Sequence, residues 1–135
     1  MVDSISISLS GLRAQSQKLG TTANNIANVS TAGIVPEEGN TSTVYQGQAI
    51  DFRSIQVDGE AAGVLAEARE GAYGYSVTYA PDSPYANADG NIAVPNVDLT
   101  TEAVDLMTTE LAYKANIAAL KTADEMERAL LDTLA

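Results

Sequence analysis

The sequence predicts an α+β chain in which long N- and C-terminal helices form a coiled coil, with a small β-rich insert between them. Three observations carry that prediction: a heptad of apolar residues near the N-terminus, a C-terminal run without Pro or Gly, and a middle stretch holding all four prolines among short β-type runs. The divisions fall at residues 1–33, 34–95 and 96–135.

In the first segment Ile5, Leu9, Leu12, Ser16, Leu19, Ala23 and Ile26 alternate by four and three residues, the spacing of a heptad seam. A helix is predicted from about Ser4 to Asn28, with Asp3 or Ser4 capping its first turn and Gly33 as the structural turn that stops it. Opposite the seam lie Ser10, Gly11, Ala14, Gln17, Lys18, Thr21, Asn24, Asn25 and Asn28, where a solvated helix usually carries Lys and Glu. So small and nearly uncharged a face suits close contact with other protein. Asn is a poor helix former, so Asn24, Asn25 and Asn28 have two readings. They bring a donor and an acceptor to a crowded contact, or they form a polar, fraying helix end.

The insert carries β-type runs at Ser42-Thr43-Val44-Tyr45, Ile50-Asp51-Phe52, Ser54-Ile55-Gln56-Val57 and Tyr75-Ser76-Val77-Thr78-Tyr79. Pro81, Pro84 and the Asp89-Gly90 pair mark loops, with Gly90 as a second structural turn. Asn87, Asp89 and Gly90 resemble three positions of a calcium loop. Tyr85 and Asn96 stand where that loop needs acidic ligands, so a plain turn is expected and no metal.

The last segment runs from a cap at Asp98 or Thr100 to about Leu134 as one helix. It carries two apolar rows: Val104, Leu111 and Ala118 with Met107 beside them, and Leu106, Tyr113 and Leu120 with Ile117 alongside. Positions two apart on a helix are about 200° apart around its axis, so the rows face nearly opposite ways. One row can pair with the N-terminal seam; the other has no partner within a chain of this size. Both chain ends are therefore expected to become fully ordered only against neighbouring molecules.

Composition narrows the chemistry. Seven Lys and Arg against eighteen Asp and Glu give a net charge of -11, with no basic stripe to neutralise phosphates, so no nucleic acid partner is expected. The absence of Cys and His removes thiol nucleophiles, imidazole bases and the usual zinc ligands, and no cofactor is expected. A carboxylate pair such as Asp82 with Asp89 or Asp98 is the enzymatic option left. An insert without Trp has little to hold a sugar, and a non-enzymatic chain is expected. No apolar run reaches the roughly 18 residues of a membrane span, and the N-terminus lacks the pattern of a secretory signal peptide. Neither membrane insertion nor the general secretory route is expected.

Leu9-Ser10-Gly11-Leu12, Asn24-Asn25-Ile26-Ala27-Asn28 and Ser30-Thr31-Ala32-Gly33 together resemble the N-terminal signature of the bacterial flagellar basal-body rod and hook proteins. The other end is similar to the proximal-rod branch of that family: a Pro-rich loop, the Ala88-Asp89-Gly90 turn, Pro95-Asn96-Val97-Asp98-Leu99, then a helix with Tyr113, Ala115 and Asn116. The two stretches cover roughly 80 of 135 residues. Ile34 replaces the family's usual aromatic, Val35-Pro36-Glu37-Glu38 replace its basic residues, and no His stands near Ser83.

The resemblance implies a structural subunit of the proximal rod, exported by the flagellar type III pathway and polymerising through its terminal helices into a drive shaft that spans the periplasm. A Cys-free chain suits that oxidising compartment. The implied partners are copies of itself, other flagellar rod proteins, and basal-body ring and export-gate components. The residues expected at subunit interfaces are Ile5, Leu9, Leu12, Leu19, Asn24, Asn25, Ile26 and Asn28 from the first helix. Leu106, Met107, Leu111, Tyr113, Asn116, Ile117 and Leu120 are expected from the second. The alternatives are a divergent paralogue in the same family or a coiled-coil adaptor of the export apparatus.

Overall fold

Among the described residues, two helices and four strands follow one another as α1 (Val2–Asn28), β1 (Ala49–Val57), β2 (Glu60–Arg69), β3 (Tyr75–Tyr79), β4 (Asn91–Pro95) and α2 (Leu99–Leu134). They are seen in a computed structural model that describes residues 2–36 and 44–134. The α+β class with terminal helices around a small β insert is thus the one predicted. The chain divides into two compact units, each drawing on both ends and the insert. Unit 1 comprises Met1–Gly20, Ile50–Glu67 and Asp105–Ala135; unit 2 comprises Thr21–Ala49 and Ala68–Val104.

Helix α1 is described from Val2 onward, ahead of the cap expected at Asp3 or Ser4. Its other end falls at Asn28, as expected, but what stops it there differs from expectation. Asn28 Nδ2 donates to the Asn24 carbonyl at 2.9 Å, and Thr31 donates to the Asn28 carbonyl from Oγ1 at 2.7 Å and from its amide at 3.0 Å. These bonds satisfy carbonyls that a left-handed glycine would otherwise serve. Gly33 is not the stop. It is buried and forms an antiparallel bridge with Ala93, with both N–H···O bonds at 2.9 Å. A Cβ there would lie 2.7 Å from the Val44 amide nitrogen. Close approach of backbones, rather than a turn, requires the glycine.

In unit 1, β1 and β2 form a two-stranded sheet joined by Asp58-Gly59, whose φ angles of 53° and 84° are those of a type I′ turn. The two expected runs at 50–52 and 54–57 merge into one strand. Strand β2 was not expected, since its Ala and Glu favour helix; pairing through the Asp-Gly turn overrides that preference. The hairpin meets α1 where Ser10 Oγ accepts the Val64 amide at 3.0 Å, and Ala14 and Ala66 are buried. Helix α2 runs antiparallel to α1: Lys18 pairs with Asp105 at 2.9 Å, and a Cβ on Gly11 would lie 2.7 Å from Asn116 Oδ1.

In unit 2, β3 and β4 pair antiparallel, with Tyr75 opposite Pro95, Val77 opposite Ala93 and Tyr79 opposite Asn91. Strand β4 lies where a loop was expected and is the innermost strand: Ile92, Ala93 and Pro95 are buried. Gly90 does turn the chain, at φ 77°. Asn87 Oδ1 accepts the amides of Asp89 and Asn91 at 3.1 and 2.9 Å, making a plain Asx turn. Of the first β-type run, Ser42 and Thr43 lie outside the described residues, as do Glu37 and Glu38; Val44 and Tyr45 lie in no strand.

Helix α2 is capped by Asp98, not Thr100. Its carboxylate accepts the Thr100 amide at 2.8 Å and the Thr101 hydroxyl at 3.3 Å. The Thr100 amide bond, chiefly, holds this carboxyl below its ordinary range. At about 1.5 Å per residue the 36 residues of α2 extend for roughly 54 Å. Among the described residues no helix is long and apolar enough to cross a membrane.

Candidate functional site

The helices pack by their smallest residues. On α1 the buried positions are Gly11, Ala14, Thr21, Thr22 and Asn25, which belong almost wholly to the polar face expected to meet other protein. On α2, Glu102, Thr109 and Ala123 are buried and Asn116 is half-buried, one heptad row of small and polar side chains. Small side chains let backbones approach closely, so these faces are used inside the chain.

The apolar residues are displaced outward. Leu9 and Leu19 of the seam are 40% and 46% exposed, while Ile5, Leu12 and Ile26 are half-buried. Of the two rows on α2, Leu106 and Leu120 are half-buried, so that row leans inward. Met107 and Leu111 are each 71% exposed, with Val104 also exposed, so the other row faces out. Tyr113, Ile117, Met126, Leu130 and Leu131 are exposed as well.

In unit 1 a groove of about 570 Å³ is lined by Leu19, Leu106 and Tyr113 with Gln15, Ser16 and Glu110. Thr109 borders it, and its buried hydroxyl has no hydrogen-bond partner among the described residues. Along α2, Lys114 pairs with Glu110, Lys121 with Glu125 and Arg128 with Asp124, each four residues apart and exposed. The hydrogen bond from Lys114 draws the Glu110 carboxyl below its ordinary range. Exposed pairs of this kind are screened by solvent and contribute little to stability.

Unit 2 holds a polar cluster centred on Asn25. Its Nδ2 donates to the Gln48 carbonyl at 2.8 Å and to Glu102 Oε1 at 2.7 Å. Its Oδ1 accepts the Tyr45 hydroxyl at 2.8 Å and the Gln48 amide at 2.9 Å. Asn25 is 1% exposed and Glu102 2%. Burial first, and the Glu102 carboxylate second, push the Tyr45 phenol above its ordinary value. The three asparagines thus have separate places: Asn25 is inside, Asn28 ends α1, and the Asn24 side chain is exposed.

Reading the sequence singled out Asn25 but missed Tyr45, Gln48 and Glu102. The available signal was the seven-residue recurrence of Glu102, Thr109, Asn116 and Ala123, which a search for apolar periodicity passes over.

Residues 5–33 match the family model described as flagella basal body rod protein. Residues 88–133 match the one described as flagellar basal body rod FlgEFG protein C-terminal. Among curated relatives, the flagellar basal-body rod protein FlgC of Salmonella typhimurium is 32% identical over 119 residues, covering 87% of this chain and 85% of that one. The FlgC protein of Bacillus subtilis is 29% identical over 144 residues, covering 91% of each chain. That of Aquifex aeolicus is 27% identical over 126 residues, covering 92% and 90%. With both terminal segments matched and the similarity running through nearly the whole length, the chain belongs to the FlgC family of flagellar basal-body rod proteins.

Proposed function

We propose that this chain, a structural subunit of the flagellar basal-body rod, polymerises by closing neighbouring copies over the apolar rows that its own fold leaves outside. The observation that carries this reading is the inversion described above: small side chains are buried, while Leu9, Leu19, Met107 and Leu111 are exposed. Large apolar strips of this kind mark interaction surfaces. A head-to-tail contact between different faces of one chain extends without closing, which builds a filament.

Of the interface residues expected from the sequence, Leu9, Leu19, Asn24, Met107, Leu111, Tyr113 and Ile117 face outward and serve neighbours directly. Ile5, Leu12, Ile26, Asn28, Leu106, Asn116 and Leu120 sit at the margins, and a coiled coil of both termini is completed in the assembly. Asn25 acts from within. Export through the flagellar type III pathway, passage across the periplasm, and contacts with ring and export-gate components complete the reading. The role is structural rather than catalytic.

The test is Leu111→Asp. Because Leu111 faces out, the variant should keep the circular dichroism of the wild-type chain in dilute solution, yet fail to enter rods and abolish swimming. Normal swimming with normal rod incorporation would remove the outer row from the interface.

A further inference from the structure

We infer that Asn25 is the positioning residue of a polar latch that admits a single docking of residues 45–48 and Glu102 on the end of α1. This goes beyond the assembly reading, because the latch acts within one chain before any copy binds.

A primary amide offers two donors and two acceptor positions, and in Asn25 all four are taken. Both donors meet acceptors, the Gln48 carbonyl and Glu102 Oε1; both acceptor positions meet donors, the Tyr45 hydroxyl and the Gln48 amide. Turning the amide over would set oxygen against a carbonyl and a carboxylate, and NH₂ against an amide N–H. The side chain therefore has one orientation.

The same amide takes both backbone groups of Gln48, as a facing residue does in an antiparallel ladder. It thereby pairs a segment that lies in no strand. Because Asn25 and Glu102 are almost wholly buried, any shift of either would leave polar groups dry and unmatched. Apolar seams tolerate such shifts, whereas a buried polar pair selects one arrangement.

The experiment is a polarity swap in the full chain, read by denaturant unfolding in dilute solution, where no rod is present. Asn25→Asp removes both donors and sets a second carboxylate against Glu102. It should raise the unfolding constant roughly ten- to hundredfold. Glu102→Gln keeps an acceptor for Asn25 and should change it by less than about threefold. In the double variant, the side-chain amide introduced at position 102 donates to the carboxylate introduced at position 25, so about tenfold of the loss should return.

A double variant no more stable than Asn25→Asp would overturn the latch, as would an Asn25→Asp chain within threefold of wild type. If Asn25→Asp does not fold, refolding in the double variant supports the latch; continued failure, with Glu102→Gln alone folded, overturns it.

Discussion

Unit 2 is joined by directed polar contacts around one asparagine, whereas unit 1 is joined by the close approach of small residues, with its larger apolar side chains left outside. Shape complementarity without large buried side chains limits how much unit 1 gains from its own packing. Four matched hydrogen bonds make unit 2 specific within a single chain. The contrast teaches that a rod subunit can fix part of itself by directed polar contacts while leaving large apolar side chains open on its surface.

The sharpest way to break the contrast is to enlarge a small contact residue in unit 1. At Gly11 a Cβ alone would lie 2.7 Å from Asn116 Oδ1, so Gly11→Leu should destabilise the isolated chain by about 3 kcal/mol through overpacking. Denaturant unfolding checks it. A loss below about 0.5 kcal/mol would mean that the helices separate freely at this point.

Thr109 gives a smaller effect of opposite sign. Its hydroxyl is buried without a partner among the described residues, and leaving such a group unmatched costs about 1–3 kcal/mol. Thr109→Val keeps the shape and removes the hydroxyl, so the chain should gain roughly 1 kcal/mol. A rise in melting temperature is the readout, and a fall would assign the hydroxyl a partner in solution.

Gly20 sharpens the comparison within one helix. A Cβ built there meets nothing within 4 Å, so Gly20→Ala should stabilise α1 by about 0.5–1 kcal/mol through helix preference alone. The two glycines of α1 thus answer the same kind of substitution with opposite signs. Equal signs from thermal melts would erase the distinction between a contact face and an open one.

Much of this was legible in the sequence. Freedom from Pro and Gly defined α2 to within a residue, the heptad marked α1, and β-branched and aromatic runs marked β1 and β3. Strand β2 was not legible, because Glu60-Ala61-Ala62 and Ala66-Glu67-Ala68 prefer helix and are held extended by a partner strand. Strand β4 hides between Asp89-Gly90 and Pro95 and becomes a strand by pairing with β3.

The packing faces were misread for a related reason. Hydrophobic periodicity picks out the large apolar side chains, and here Leu9, Leu19, Met107 and Leu111 lie outside. In this chain the interior falls instead to small residues such as Gly11, Ala14, Thr109 and Ala123. The polar cluster was legible at Asn25 only, because its partners are brought to it by tertiary structure from 20 to 77 residues away.

The last predicted effect belongs to unit 2 and to pH. The Tyr45 phenol titrates above its ordinary value of 10.0, because burial and the Glu102 carboxylate disfavour the phenolate. The folded chain thus holds this proton more tightly than the unfolded one. Stability from this group is fully present below pH 10 and falls as pH rises through the folded value. Tyr45→Phe keeps the ring and removes the donor to Asn25 Oδ1, so it should lower stability at neutral pH by about 1 kcal/mol. Whatever else changes in base is common to both proteins. The informative quantity is therefore the wild-type advantage over Tyr45→Phe in unfolding midpoint. That advantage should hold up to about pH 10 and shrink above it, whereas a constant one would mean that the Tyr45 phenol titrates alike in the folded and unfolded chains, unaffected by burial and by Glu102.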